Sequence, residues 1–119
     1  MGHVRVKLKI ANPTKRQEAV EVEDVLVDTG ATLWLIPRAL ADRLELEVLG
    51  QIPAETAAGE VSVDHSYAFI EYDGKQSVSD VAISDSYAGV LVGVYTLEAL
   101  RLAVDPTSGR LVDTKLLLL

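Results

Sequence analysis

One carboxylate in an awkward place is the first candidate for chemistry in this 119-residue chain. In Val25-Leu26-Val27-Asp28-Thr29-Gly30-Ala31, three strand-forming apolar residues run straight into an acid, a hydroxyl and a glycine. An unpaired carboxylate is costly to bury. Asp28 must therefore be solvated at the strand end, hydrogen-bonded by nearby backbone N–H groups, or paired with something outside the segment. Gly30 lets the backbone turn and lets another chain come close. Taken alone, the triplet is equally what an ordinary Asx-type turn at a strand end looks like. Its meaning depends on its surroundings.

Other chemistries lack their parts. The chain has no cysteine, which removes disulfides, thiol catalysis and cysteine metal sites together. His65, beside Asp64, sits in an alternating context that reads as the exposed edge of a strand, and no serine–histidine triad can be assembled around it. No glycine loop precedes a helix in a parallel βαβ setting. No cofactor and no metal are therefore expected. The net charge is −7, from 18 acids against 11 bases, and the bases are scattered, so no nucleic-acid partner is expected. The N-terminus carries neither an apolar signal core nor an arginine-rich amphipathic arm, no apolar run approaches membrane-spanning length, and no weight rests on Met1-Gly2-His3. A soluble, cytoplasmic protein without a membrane partner is the expectation.

That leaves carboxylates. Two of them within hydrogen-bonding distance cannot both ionise comfortably and share a proton. One then acts as base on a water while the other donates to a carbonyl oxygen. This chain offers one such position, and a twofold homodimer would supply the second, with Asp28 facing its own copy at the axis.

The elements that must position Asp28 read as mainly β in a single domain spanning 1–119, with 49% hydrophobic and 24% charged residues. Val4 to Ile10 alternates apolar with basic residues, Asn12-Pro13-Thr14-Lys15 turns, and Glu18 to Val27 returns, which makes a hairpin. Leu33 to Ile36 is a short apolar run. Pro37 then opens a helix predicted over Arg38 to Leu46, with Ile36, Leu40 and Leu44 as its buried stripe. Trp34 is assigned to core packing, with a place in a ligand groove as the alternative. Strands over Leu49 to Glu55 and Val61 to Tyr72 flank the small residues Thr56-Ala57-Ala58-Gly59-Glu60, and Asp73-Gly74 turns into a strand over Lys75 to Ile83. Val90-Leu91-Val92-Gly93 precedes a helical segment through Leu100. It repeats Val25-Leu26-Val27-Asp28 at an offset of 65, with Gly93 standing where Asp28 stands. Leu102 to Asp105 and Arg110 to Leu119 read as a last hairpin, whose terminal leucines need a cover such as a partner subunit.

On Leu26-Val27-Asp28-Thr29-Gly30-Ala31-Thr32, the glycine-tipped hairpin near Gly59 and Leu91-Val92-Gly93, the chain resembles the single-domain retropepsin-like aspartic proteases. The resemblance implies an all-β closed barrel with one or two short helices, active as a homodimer on a peptide or protein substrate. It implies Asp28 as the catalytic acid and Thr29, Gly30 and Ala31 as the active-site loop. Thr29 would brace the dimer axis, and Gly30 would offer its backbone to substrate. The Glu55 to Val63 hairpin would be a flap, with Ala57, Ala58 and Gly59 at its tip. Retroviral members carry an acid shortly after the triplet and an arginine after the later glycine, where this chain has Thr32 and Val94. A non-catalytic peptide-binding or dimerisation module with the same fold is the alternative the departure raises.

Overall fold

Alternation decides the first two strands. In the computed structural model, which describes residues 4–118, β1 (Val4–Ala11) turns Arg5, Lys7 and Lys9 outward and buries Leu8 and Ile10. It pairs antiparallel with β2 (Val20–Val27), as the hairpin reading requires. The second strand starts two residues later than the sequence suggested, because Arg16–Glu18 closes into a 3-10 turn first. Its apolar residues do not keep one phase: Val20 and Val22 are two apart, but Val22 and Val25 are three apart. The ladder absorbs the extra residue as a bulge, where the register jumps between Val6 and Leu8 and Asp24 takes φ +56°. Arg5 ties the bulge down by donating to the Asp24 carbonyl oxygen at 3.1 Å. Re-phased in this way, Val25 and Val27 both point into the core, and the strand delivers Asp28 to solvent.

The main sheet contains β3 (Trp34–Pro37), β4 (Gly50–Thr56), β5 (Gly59–Tyr72), β6 (Lys75–Ser84) and β7 (Leu91–Val92) as well, in the order β1-β2-β7-β3-β6-β5-β4. The end of β1 also pairs with β5, at Lys9↔Glu71, Ile10↔Ile70 and Ala11↔Phe69. Six strands therefore form a cycle of pairings, with β4 added outside it. The protein is all-β, with two six-residue helices among the described residues, α1 (Arg38–Arg43) and α2 (Val94–Ala99). A separate hairpin, β8 (Leu102–Asp105) with β9 (Arg110–Asp113), follows α2. Trp34, Ile10, Ile36, Ile70 and Val25 are fully buried at the centre, so Trp34 belongs to the core rather than to a groove.

Several expected boundaries move, each for a local reason. The α1 helix stops at Arg43, short of Leu46, because Leu44 caps it and Glu45 adopts φ +56°, which ends the helical run. Pro37 stands just before the helix in extended conformation and closes β3. The last strand ends at Asp113. Leu116, Leu117 and Leu118 belong to no strand, are 70%, 89% and 84% exposed, and pair with no strand among the described residues. Leu119 and Met1-Gly2-His3 lie outside the described residues. The two-residue turn at Asp73-Gly74 is as read, with both residues at positive φ. Among the described residues, no helix is long and apolar enough to cross a membrane.

Candidate active site

The turn after β2 is built on backbone bonds from β7 and α2. Leu26 and Val27 pair in parallel with Leu91 and Val92, so the 65-residue repeat is also the strand register. The Leu26 N–H donates to the Val90 carbonyl at 3.1 Å, and the Asp28 N–H donates to the Val92 carbonyl at 2.9 Å. Beyond the strands the two copies diverge. Gly93 opens α2, and the Val94 and Tyr95 N–H groups donate to the carbonyls of Ala31 (2.9 Å) and Thr32 (3.0 Å). These are orphan donors of the helix start, and the loop carbonyls satisfy them.

Gly93 is what lets the two segments approach. A Cβ there would stand 2.5 Å from the Leu33 carbonyl oxygen and 2.7 Å from that of Ala31. Its φ is −95°, open to any residue, so the requirement is space and not backbone conformation.

On this support the Asp28 carboxylate is exposed. Its Oδ1 accepts the Gly30 N–H at 2.9 Å, and its carbonyl accepts the Ala31 N–H at 3.1 Å. The side chain thus folds onto its own turn, which fixes its direction. None of the ion pairs among the described residues involves Asp28. Thr29 and Gly30 are exposed beside it, and Ala31 is half-buried. Asp28, Thr29, Gly30 and Ala31 are therefore one presented loop.

The β4–β5 hairpin is the second predicted part. Thr56 pairs with Gly59, leaving Ala57 and Ala58 as the two-residue turn. The Thr56 hydroxyl donates to the Gly59 carbonyl at 2.9 Å and accepts the Ala58 N–H at 3.1 Å. Gly59 has φ +115°, a conformation that favours glycine, and nothing stands within 4 Å of where its Cβ would be. The hairpin has two chemically distinct faces. Ile52, Ala54, Val61 and Val63 share one by register, while Gln51, Glu55, Glu60, Ser62 and Asp64 share the other. No hydrogen bond among the described residues joins the tip to the Asp28 loop. Five surface depressions of about 190 to 280 Å³ lie elsewhere, and Asp28 lines none of them.

His65 departs from expectation. It is half-buried, not at an exposed edge, and its Nδ1 lies 2.7 Å from Asp80 Oδ1 across the β5–β6 pair. No group of metal-ligating side chains occurs among the described residues. Sequence reading also missed Arg38. Its guanidinium forks onto both Asp85 oxygens, at 2.8 and 2.9 Å, and meets Asp64 at 2.9 Å. One signal was present: a cation in the first turn of a helix is poorly placed against the dipole and calls for carboxylates from elsewhere.

Comparison with known proteins agrees with this architecture. A family model described as aspartyl protease matches residues 6–74, which hold β1 through the β5–β6 turn and both predicted loops. No curated protein matches significantly. Among solved structures, EIAV protease in complex with the inhibitor HBY-793 is 18% identical with a TM-score of 0.66, over 98% of this chain and 94% of that one. The retroviral protease-like domain of Ddi1 from Leishmania major is 16% identical with a TM-score of 0.63, over 95% and 87%. A retropepsin-like aspartic protease from Rickettsia conorii is 19% identical with a TM-score of 0.52, over 87% and 85%. At these identities the structures speak for the fold, and together with the family match over more than half the sequence they make this chain a member of the aspartyl protease family with a retropepsin-like fold.

Proposed function

We propose that the protein is an aspartic endopeptidase that works as a homodimer, with one Asp28 from each subunit. The observation that carries this reading is the Asp28 loop: an exposed carboxylate, held by the Gly30 N–H and in no ion pair among the described residues. A single carboxylate has no partner with which to divide acid and base roles. A twofold axis beside the loop would bring the second copy within hydrogen-bonding distance. The couple would then hold one proton, one oxygen drawing a proton from a water as it attacks the peptide carbon, the other acid donating to the carbonyl oxygen. Collapse of the tetrahedral intermediate returns a proton to the leaving amine and frees both peptide halves.

The β4–β5 hairpin would close over an extended peptide, contributing strand-like backbone bonds and its apolar face of Ile52, Ala54, Val61 and Val63. Closure would exclude bulk water from the carboxylate pair. The exposed leucines 116–118 fit the same assembly, since a second subunit is a ready cover for them.

The test is incubation of the protein and of Asp28→Asn with a mixed peptide library across roughly pH 3 to 7, where carboxyl groups titrate. Cleavage by the parent protein and none by the variant is expected, together with a dimer by light scattering. Equal cleavage by both, cleavage by neither, or activity from a strict monomer removes the assignment. The conservative variant keeps an oxygen for the Gly30 N–H, so a folding defect is not expected to confuse the result.

A further inference from the structure

Arg38 holds together three parts of the chain that are far apart in sequence. It begins α1, directly after β3. Through Nη1 it meets Asp64, at the root of the β4–β5 hairpin. The other oxygen of Asp64 accepts from the Gln51 amide at 3.2 Å, so the carboxylate that meets the guanidinium also joins the two strands of the hairpin. Through Nε and Nη2 it forks onto Asp85, the first residue after β6. That second attachment leads to the candidate active site. The Ser84 hydroxyl, mostly buried, accepts the Ser86 and Tyr87 N–H groups and fixes the start of the segment that feeds into β7. The β7 strand in turn supplies the Val92 carbonyl that holds the Asp28 N–H.

We propose that Arg38 is a positioning residue that couples the hairpin to the segment backing the Asp28 loop, so that a change in one is felt by the other. The role assigned to the hairpin rests on the proteolytic reading above; the coupling itself does not. Lone surface ion pairs carry little, but a planar fork on one carboxylate plus a second carboxylate is the arrangement in which geometry is retained. The side chains are only partly open to solvent at Arg38 (34%) and Asp64 (22%), while Asp85 is 71% exposed. The exposed partner is the weaker attachment, and it is there that the coupling would give way first. A lysine could satisfy either acid with its point charge but could not present the fork to Asp85 while meeting Asp64.

The test is reciprocal and needs no activity. Amide hydrogen exchange is measured on the parent protein, Asp64→Asn, Asp85→Asn, Arg38→Gln and Arg38→Lys, with thermal unfolding of each to show that it is folded. Coupling predicts that Asp64→Asn speeds exchange across residues 86–92, and that Asp85→Asn speeds it across residues 57–63, each on the order of twofold or more. Arg38→Gln speeds both, and Arg38→Lys follows Gln rather than the parent. Effects confined to the segment that carries each substitution overturn the proposal, as does full rescue by lysine. If the parent protein cleaves peptides, Arg38→Gln raises KM severalfold with little change in kcat, since hairpin closure is a binding step. If no peptide is cleaved, the proteolytic reading fails while the exchange result still decides the coupling.

Discussion

Replacing Gly93 by alanine adds one methyl group at the tightest point of the molecule. The new Cβ would lie 2.5 Å from the Leu33 carbonyl oxygen, 2.7 Å from the Ala31 carbonyl oxygen and 2.8 Å from the Thr32 carbonyl carbon. Ordinary contact begins at 3.4 Å, so the first of these must open by 0.9 Å. All three atoms are backbone, and no side-chain rotation can relieve them. Overpacking of this kind costs about 1–3 kcal/mol. The same movement stretches the bonds from Val94 to Ala31 and from Tyr95 to Thr32, each worth about 1 kcal/mol net. A loss of roughly 2–4 kcal/mol follows, or about 10 °C in Tm for a domain of this size. Urea unfolding followed by tryptophan fluorescence measures it, since Trp34 is fully buried and adjoins the displaced segment in sequence. Gly109→Ala is the control: φ is +68° with nothing within 4 Å, so it isolates the conformational cost, about 1 kcal/mol. If Gly93→Ala stays within about 0.5 kcal/mol of the parent, or costs no more than Gly109→Ala, the close-approach argument is wrong.

Three further outcomes follow from the same geometry. Ile36→Ala and Ile70→Ala remove fully buried side chains and cost about 2–5 kcal/mol each by denaturant titration. Val61→Ala, 41% exposed on the apolar face of the hairpin, stays within about 0.5 kcal/mol in stability yet raises KM for apolar peptides. The dependence of stability on pH has two edges. Hydrogen bonding from Lys15 holds the Glu45 carboxyl below its usual range, hydrogen bonding from Arg38 does the same for Asp85, and the Ser108 hydroxyl lowers Asp105. Their contributions are complete above the ordinary carboxylate range and are lost as pH falls through the lower folded values. Glu45 in turn raises Lys15, whose contribution is complete below the ordinary lysine range and is lost as pH rises through the folded value. These four groups therefore lower stability at the acidic and the basic end of the pH scale and leave it unchanged between. Added salt flattens the Lys15–Glu45 part and leaves the Asp105 part, which rests on a neutral hydroxyl.

What the sequence made legible was whatever depends on neighbours along the chain. Alternation at Val4, Val6, Leu8 and Ile10 gave β1, Asp73-Gly74 gave its turn, and the Val-Leu-Val repeat gave two strands that turn out to pair in the same register. Asp28 at a strand end was equally visible, because an acid after three apolar residues breaks the pattern locally. What stayed hidden depends on distant residues. The spacing from Val22 to Val25 announces a bulge only once the β1 register is known. His65 looked exposed because its partner, Asp80, lies across the β5–β6 ladder, and Arg38 meets acids 26 and 47 positions away. The α1 boundary was misplaced because Leu44 and Leu46 keep apolar character past the point where Glu45 turns the backbone.

The departures at Thr32 and Val94 take on a definite physical meaning in this light. An acid and an arginine at those places would brace the loop by an ion pair, and a loop lacking both needs another brace. Here the backbone supplies it: Val94 and Tyr95 donate to Ala31 and Thr32, and Val92 accepts from Asp28, so three bonds clasp the loop from Asp28 to Thr32 without any charged side chain. Backbone bonds place no demand on side-chain charge at positions 32 and 94, so threonine and valine serve there. The demand is transferred to position 93, where only the absence of a Cβ allows the bonds to form. Restoring charges by Thr32→Asp with Val94→Arg should accordingly add little stability to a loop already held, while Gly93→Ala undoes it. A double variant markedly more stable than the parent in urea would mean that the backbone clasp is not sufficient.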